Sequence, residues 1–494
     1  MKNQIKHFTA GALVLAALEQ VHAQYTPPPP PSPFQGFINE YLRAQNPYAN
    51  QWDIGGDVRV RFEAKEGFGI QGKAGSVDFR DHGADVDNEY LLTRIRLHLG
   101  YTEKWWSAYA EGQSSLATSD ERAAYANAPA IGGTTRKLGY GPESDEVDLH
   151  QAYLTLGNHK EFPLSLKIGR QELSYGEERL IGAFGWNNIG RSFDAAKVRW
   201  QNSWFAADFF SGLPVVPRDG EFDMPNSYDV LSGVYATSLK IPKTILEGYF
   251  LARNASREAI NFFSSPQFPQ PTARDIYTLG GRLKSKPGEL GAWDYTLEGA
   301  YQFGDYAASA ASKRLTQDAF MFILQGGYTF ADAWAAPRIG LEYAYSSGDE
   351  NSADGTHGTF DNLFPTNHKF YGYADFLSLQ NLQDLRAIYQ LKPTTRLSVS
   401  LEGHAFWLAD THDALYNVGG GARTTGGFGV HPTYDNYVGS ELDLIAGYAV
   451  TRYSQIEAGY GHFFAGKYIE QSLAAPASGS RDADWVYVQA TVKF

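Results

Sequence analysis

Residues 169–182 read GRQELSYGEERLIG, and FDAAKVRW stands at 193–200. Three glycines, two arginines and three glutamates in fourteen positions suggest an anion cradle or an acid/base site. An anion cradle needs a helix opening directly behind its glycines. Here Leu164, Leu166 and Ile168 alternate with Ser165 and Lys167 before the glycines, and residues 193–200 alternate again. The stretch therefore reads as strand, loop, strand. No nucleophile elbow, zinc-binding HExxH helix or Walker loop occurs anywhere in the chain. His98, His404, His431 and His462 stand singly, and DENSADGTHG (349–358) lacks the ligand spacing and closing glutamate of a calcium loop. No enzyme chemistry, cofactor or metal is expected, so the charges in this stretch call for another explanation.

The elements that position them are strands. DVRVRFEAK (57–65) sets Val58, Val60 and Phe62 against Arg59, Arg61 and Glu63, and RIRLHLGY (94–101) sets Ile95, Leu97 and Leu99 against Arg94, Arg96 and His98. Strands charged on one face and apolar on the other need water on one side and lipid or core on the other. Eighteen such segments lie near 56–65, 90–102, 105–115, 148–157, 164–173, 193–201, 203–212, 229–238, 243–253, 275–285, 293–304, 319–330, 337–348, 380–392, 395–409, 437–450, 454–465 and 482–494. Short connections such as 103–104, 202 and 393–394 alternate with long ones such as 66–89, 116–147, 349–379 and 410–436. That is the turn-and-loop rhythm of an all-β transmembrane antiparallel barrel with short periplasmic turns and long extracellular loops. Eighteen strands are expected, with sixteen as the alternative.

Bulk properties agree. Lys2, Lys6 and His7 precede the apolar run AGALVLAAL, and Val21-His22-Ala23 comes next, so residues 1–23 read as a signal peptide. Residues 24–55 hold YTPPPPPSPF and a short helix before Pro47, marked by Phe34, Phe37, Ile38, Tyr41 and Leu42. The barrel is expected over 56–494. Thirty-one tyrosines, thirty phenylalanines and ten tryptophans without any cysteine suit such a barrel, and a formal charge of −13 argues against nucleic acid as a partner. The chain ends on Phe494 at the close of an alternating strand, as outer-membrane barrels that are clients of the barrel assembly machinery do.

A charge on the lipid face costs about 2–4 kcal/mol at the bilayer midplane. Strand parity therefore sends Arg59, Arg61, Arg94, Arg96, Lys167, Lys197, Arg199, Arg338 and Arg386 into the lumen, with Glu402, Glu441 and Asp443. Basic residues around a water-filled pore favour anionic solutes; arginine–carboxylate pairs bracing the wall are the competing explanation.

KIGRQELSYGEERLIG (167–182), WNNIGRSFDAAKVRW (186–200), FDNLFPTNHKFYGYADF (360–376), GSELDLIAGY (439–448) and IEAGYGHFFAGKYI (456–469) resemble the alginate-export family of outer-membrane porins. The resemblance implies a monomeric eighteen-stranded barrel that passes an anionic uronate polysaccharide outward, with periplasmic polysaccharide-export proteins as partners. It also implies signature arginines at Arg170, Arg179, Arg191 and Arg199 and a late acidic pair at Glu441 and Asp443. Arg170, Arg179 and Arg191 then become fixed charges at the channel mouth, locked by Glu172, Glu177 and Glu178. A substrate-selective uptake porin for small anionic or neutral solutes is the alternative, ahead of an outer-membrane enzyme or adhesin.

Overall fold

The computed structural model describes residues 36–68, 79–82, 87–121, 127–131, 134–137, 143–158, 161–218, 220, 222–226, 228–255, 273–308, 312–368, 370–474 and 476–494. The expected signal peptide and the proline run lie outside the described residues. Eighteen long strands form one closed antiparallel sheet. They are β1 Trp52–Glu66, β2 Asn88–Thr102, β3 Trp106–Thr118, β4 Asp145–Leu156, β5 Leu164–Gln171 and β6 Phe193–Gln201. The series continues as β7 Phe205–Val216, β8 Asp229–Ser238, β9 Thr244–Ala255, β10 Ala273–Ser285, β11 Trp293–Ala307 and β12 Leu315–Thr329. It ends with β13 Arg338–Ser346, β14 Leu382–Leu391, β15 Leu397–Leu408, β16 Tyr437–Ala449, β17 Ser454–Ala465 and β18 Ala483–Lys493. β1 pairs with β18 from Asp57–Lys493 to Glu66–Asp484, so the sheet has no open edge in the membrane. The count is eighteen, not sixteen.

Parity sorts the faces as expected. Val60, Phe62, Leu97, Leu99, Leu324 and Leu341 are exposed outward, while Arg59, Arg61 and Glu63 turn inward and are buried. Trp105, Trp106, Trp204, Trp293 and Trp334 stand exposed at the short-turn end, the position of an interfacial aromatic girdle. Inside, broad rings lie across glycines of the next strand. Tyr249 faces Gly280, where an added Cβ would come within 2.5 Å of the ring. Tyr487 faces Gly459 in the same manner.

β1 begins at Trp52, four residues before the expected start, because Gly55 and Gly56 interrupt the apolar alternation that marks a strand in sequence. The expected helix is present as α1, Phe37–Gln45. A second helix, α2, Lys467–Ala474, lies in the β17–β18 connection. Sequence periodicity does not announce it, because its buried Tyr468, Ile469 and Leu473 fall within a single turn and a half.

Candidate functional site: two loops joined inside the lumen

The β5–β6 connection does not stay outside the barrel. The inward arginines of β1 and β2 hold it against the inner wall. Arg59 donates to the carbonyls of Gly185 (2.8 Å) and Asn187 (3.1 Å), and Arg61 to that of Trp186 (2.7 Å). Arg94 reaches the Gly185 carbonyl and Arg96 the Ile189 carbonyl, each at 3.3 Å. Gln113 and Ser115 of β3 donate to the carbonyls of Ile189 and Asn188, both at 2.8 Å. A loop taken from water into a protein interior must find partners for its carbonyls, and guanidinium groups, with five donors each, supply several at once. The four arginines are accordingly 0–9 % exposed.

The second loop, between β13 and β14, enters as well and pairs with the first. Gly182 donates to the Phe364 carbonyl at 2.9 Å, Phe364 to the Leu180 carbonyl at 3.0 Å and Thr366 to the Glu178 carbonyl at 2.8 Å. The first two of these bonds form a parallel bridge between Ile181 and Phe364. Arg191 fastens it by donating to the Gly182, Phe364 and Pro365 carbonyls at 3.1, 2.6 and 2.8 Å. Leu180, Ile181, Leu363, Phe364, Phe370 and Phe376 fill the space between loops and wall as part of one buried apolar cluster. At the seam the Trp186 ring stacks on His368 at 3.9 Å, with the Arg61 guanidinium 3.8 Å from the indole centroid.

The remaining charges pair across the wall. Arg170 meets Asp194 at 2.9 Å and also donates to the carbonyls of Leu149 and Asp223. Arg199 meets Asp208 at 3.0 Å, and Arg338 meets Asp294 at 2.6 Å. Arg386 pairs with Glu402 and lies 3.7 Å from Glu342. Arg179 is 2 % exposed and bonded to Glu342 at 2.6 Å. Of the three loop glutamates, Glu177 lies 3.7 Å from Arg179 and Glu178 is the carboxylate that acts on Arg191. Glu172 joins Arg96 and His150, Glu177 joins Lys284, and Glu178 takes the Ser174 hydroxyl. Burial alone would raise Glu172, but His150 and Arg96 hold it near 2. Glu441 accepts the Ala374 N–H at 2.8 Å, and Asp443 is buried beside it.

Lys167 and Lys197 are less buried than Arg170, Arg179 and Arg199. They face each other in the β5–β6 register near the short-turn end, and both are only half buried. Lys167 Nζ lies 3.5 Å from the Tyr153 ring centroid, and Lys197 is 3.7 Å from Asp208. The residues that sequence reasoning leaves out are Trp186, Phe364 and His368. All three lie inside the family-like motifs, the one signal that points to them.

A model described as "Alginate export" matches residues 51–479. The chain belongs to the alginate-export family. No curated protein matches it in sequence. Among solved structures it is similar to Acinetobacter baumannii OccAB1, at 10 % identity over 90 % of this chain and 97 % of that one, with a TM-score of 0.54. It is also similar to Pseudomonas aeruginosa OpdK solved with vanillate, at 11 % identity, 90 % and 98 % coverage and a TM-score of 0.53. These likenesses concern the fold. This alginate-export family member is an outer-membrane β-barrel of the porin type.

Proposed function

We propose that this alginate-export family member passes an anionic saccharide of the uronate class through its lumen. The observation that carries the proposal is the pair Lys167 and Lys197, adjacent in register and only half buried, while Arg59, Arg61, Arg94 and Arg96 are buried against loop carbonyls. Basic side chains beside a water-filled path favour anions. Family membership over residues 51–479 supports a uronate as the cargo.

The test is single-channel conductance of the purified protein in planar bilayers with polyuronate added. Block at low polyuronate concentration, weakened at least tenfold by Lys167→Glu plus Lys197→Glu, is the expected result. Conductance indifferent to polyuronate removes the proposal. Arg170 and Arg199 are poor choices for charge reversal, since each is buried against an aspartate.

A second proposal, uptake of small anions, draws on the two loops folded into the lumen and on the vanillate in the OpdK structure. Block by a small aromatic carboxylate but not by polyuronate would favour it.

A further inference from the structure

Helix α1 and the turn that leads from it into β1 leave large aromatic side chains bare. Phe37, Tyr41 and Tyr48 are 47 %, 66 % and 80 % exposed, and Trp52, where the chain enters β1, is 41 % exposed. Scattered exposed apolar residues are ordinary, but four aromatics within sixteen residues form a surface that needs an occupant. The helix is held rigidly under this surface. Asn39, 1 % exposed, donates to Asp53 and accepts the Ile54 N–H, both at 2.8 Å. Glu40 pairs with Arg452 and takes the Tyr453 hydroxyl in the β16–β17 turn. Arg43 donates to the Trp52 carbonyl at 2.9 Å.

The row runs into the lipid face. Phe37 lies 5.9 Å from the Tyr453 ring and 6.2 Å from that of Phe494, the residue that follows β18 at the short-turn rim. Trp52 packs on Tyr101 at 4.7 Å, and both share the outward parity of Val60 and Leu97. Trp105, Trp204, Trp293 and Trp334 continue the same level around the barrel. Aromatic rings with a polar edge concentrate at the boundary between headgroups and acyl chains, where one end stays wet and the other dry.

We propose that Phe37, Tyr41, Tyr48 and Trp52 form a membrane-contact surface, so that α1 lies in the headgroup region of the periplasmic leaflet and extends the tryptophan girdle across the β1–β18 seam. The occupant is phospholipid, because the row is continuous with residues that already face lipid.

The chain has no cysteine, so Tyr41→Cys and Tyr48→Cys each give one labelling site. The full-length variants, spin-labelled and reconstituted in phosphatidylethanolamine and phosphatidylglycerol vesicles, are compared for collision with oxygen and with a water-soluble nickel complex. Labels at Leu324→Cys and Thr394→Cys serve as lipid-facing and turn references. Oxygen collisions exceeding nickel collisions at both 41 and 48 is the expected result. Nickel preference at either site, as at 394, overturns the proposal. So does shielding from both reagents, which contact with a second copy would produce. Heat-modifiable migration of each variant on gels verifies that the barrel has folded before the comparison is made.

Discussion

The Trp186 indole and the His368 imidazole lie 6° from parallel with ring centroids 3.9 Å apart, one from each of the two loops that meet inside the barrel. Trp485 and Tyr487 of β18 approach the indole edge-on at 5.9 and 5.0 Å, so the stack is also tied to the wall. It joins loop to loop and both loops to the β1–β18 seam. Aromatic pairs of this kind contribute about 0.5–1.5 kcal/mol beyond the area they bury.

Trp186→Ala should therefore loosen the loops without unfolding the barrel. The expected outcome is higher single-channel conductance with more frequent transitions between levels, and a barrel melting temperature within a few degrees of the parent. An unchanged trace would mean that the backbone bonds around Ile181 and Phe364 hold the loops unaided.

Arg179 and Glu342 test how much the buried ion pairs matter. Both side chains are 1 % exposed and 2.6 Å apart, and Arg386 is the other cation near Glu342, at 3.7 Å. Removing one member of a buried pair leaves a charge without its main partner and costs about 3–5 kcal/mol. Arg179→Met alone should lower stability on that scale in urea unfolding from detergent or lipid, and adding Glu342→Gln should restore a large part of it. Equal losses in the single and double variants would show that the cost comes from packing against Phe370, whose ring lies 4.1 Å from the guanidinium.

Much of the barrel was legible in sequence because a strand between lipid and lumen is forced to alternate, as at Val58, Val60 and Phe62 against Arg59, Arg61 and Glu63. The direction of the arginines followed from the same constraint. Their partners did not. Arg59 and Arg61 bind carbonyls of Gly185, Asn187 and Trp186, more than 120 residues away, and a carbonyl leaves no mark on the sequence. Loops have no period either, so nothing in Phe364 or His368 announced that they meet Ile181 and Trp186. What was legible there was chemical type: the glycines and arginines of 169–182 looked like an anion cradle, and in the structure guanidinium groups do the cradling, with backbone oxygens in the anion's place.

Gly372 offers a test confined to the second loop. It has φ +87°, and an added Cβ would fall 2.2 Å from Glu441 Oε2. The clash and the strained backbone act together, since L-residues rarely adopt this conformation. Gly372→Ala should lift residues 370–376 off β16 and break the Ala374 N–H bond to Glu441, raising hydrogen exchange there while β13–β16 stay protected. Exchange unchanged at residues 370–376 would count against the glycine as the seat of the loop.

Asp223 sits in the β7–β8 connection, close enough to Asp145 and Asp148 for their carboxylate oxygens to lie within 4.8 Å of one another. Burial and then these two neighbours push its carboxyl up to about 9 from an ordinary value near 3.8. The folded form thus binds its proton more tightly than the unfolded form does. Stability from this group is fully present below the ordinary value and is lost as pH rises through about 9. Between pH 7 and pH 10 the loop around Asp223 should therefore detach, exposing residues 217–226 to limited proteolysis while the strands stay resistant. Asp223→Asn keeps the shape and removes the titration, so its cleavage pattern should be flat across that range. Should the parent chain also be flat, the carboxyl must ionise lower or the loop must be held by other bonds, of which the Arg170 donation to the Asp223 carbonyl at 2.9 Å is the first to test.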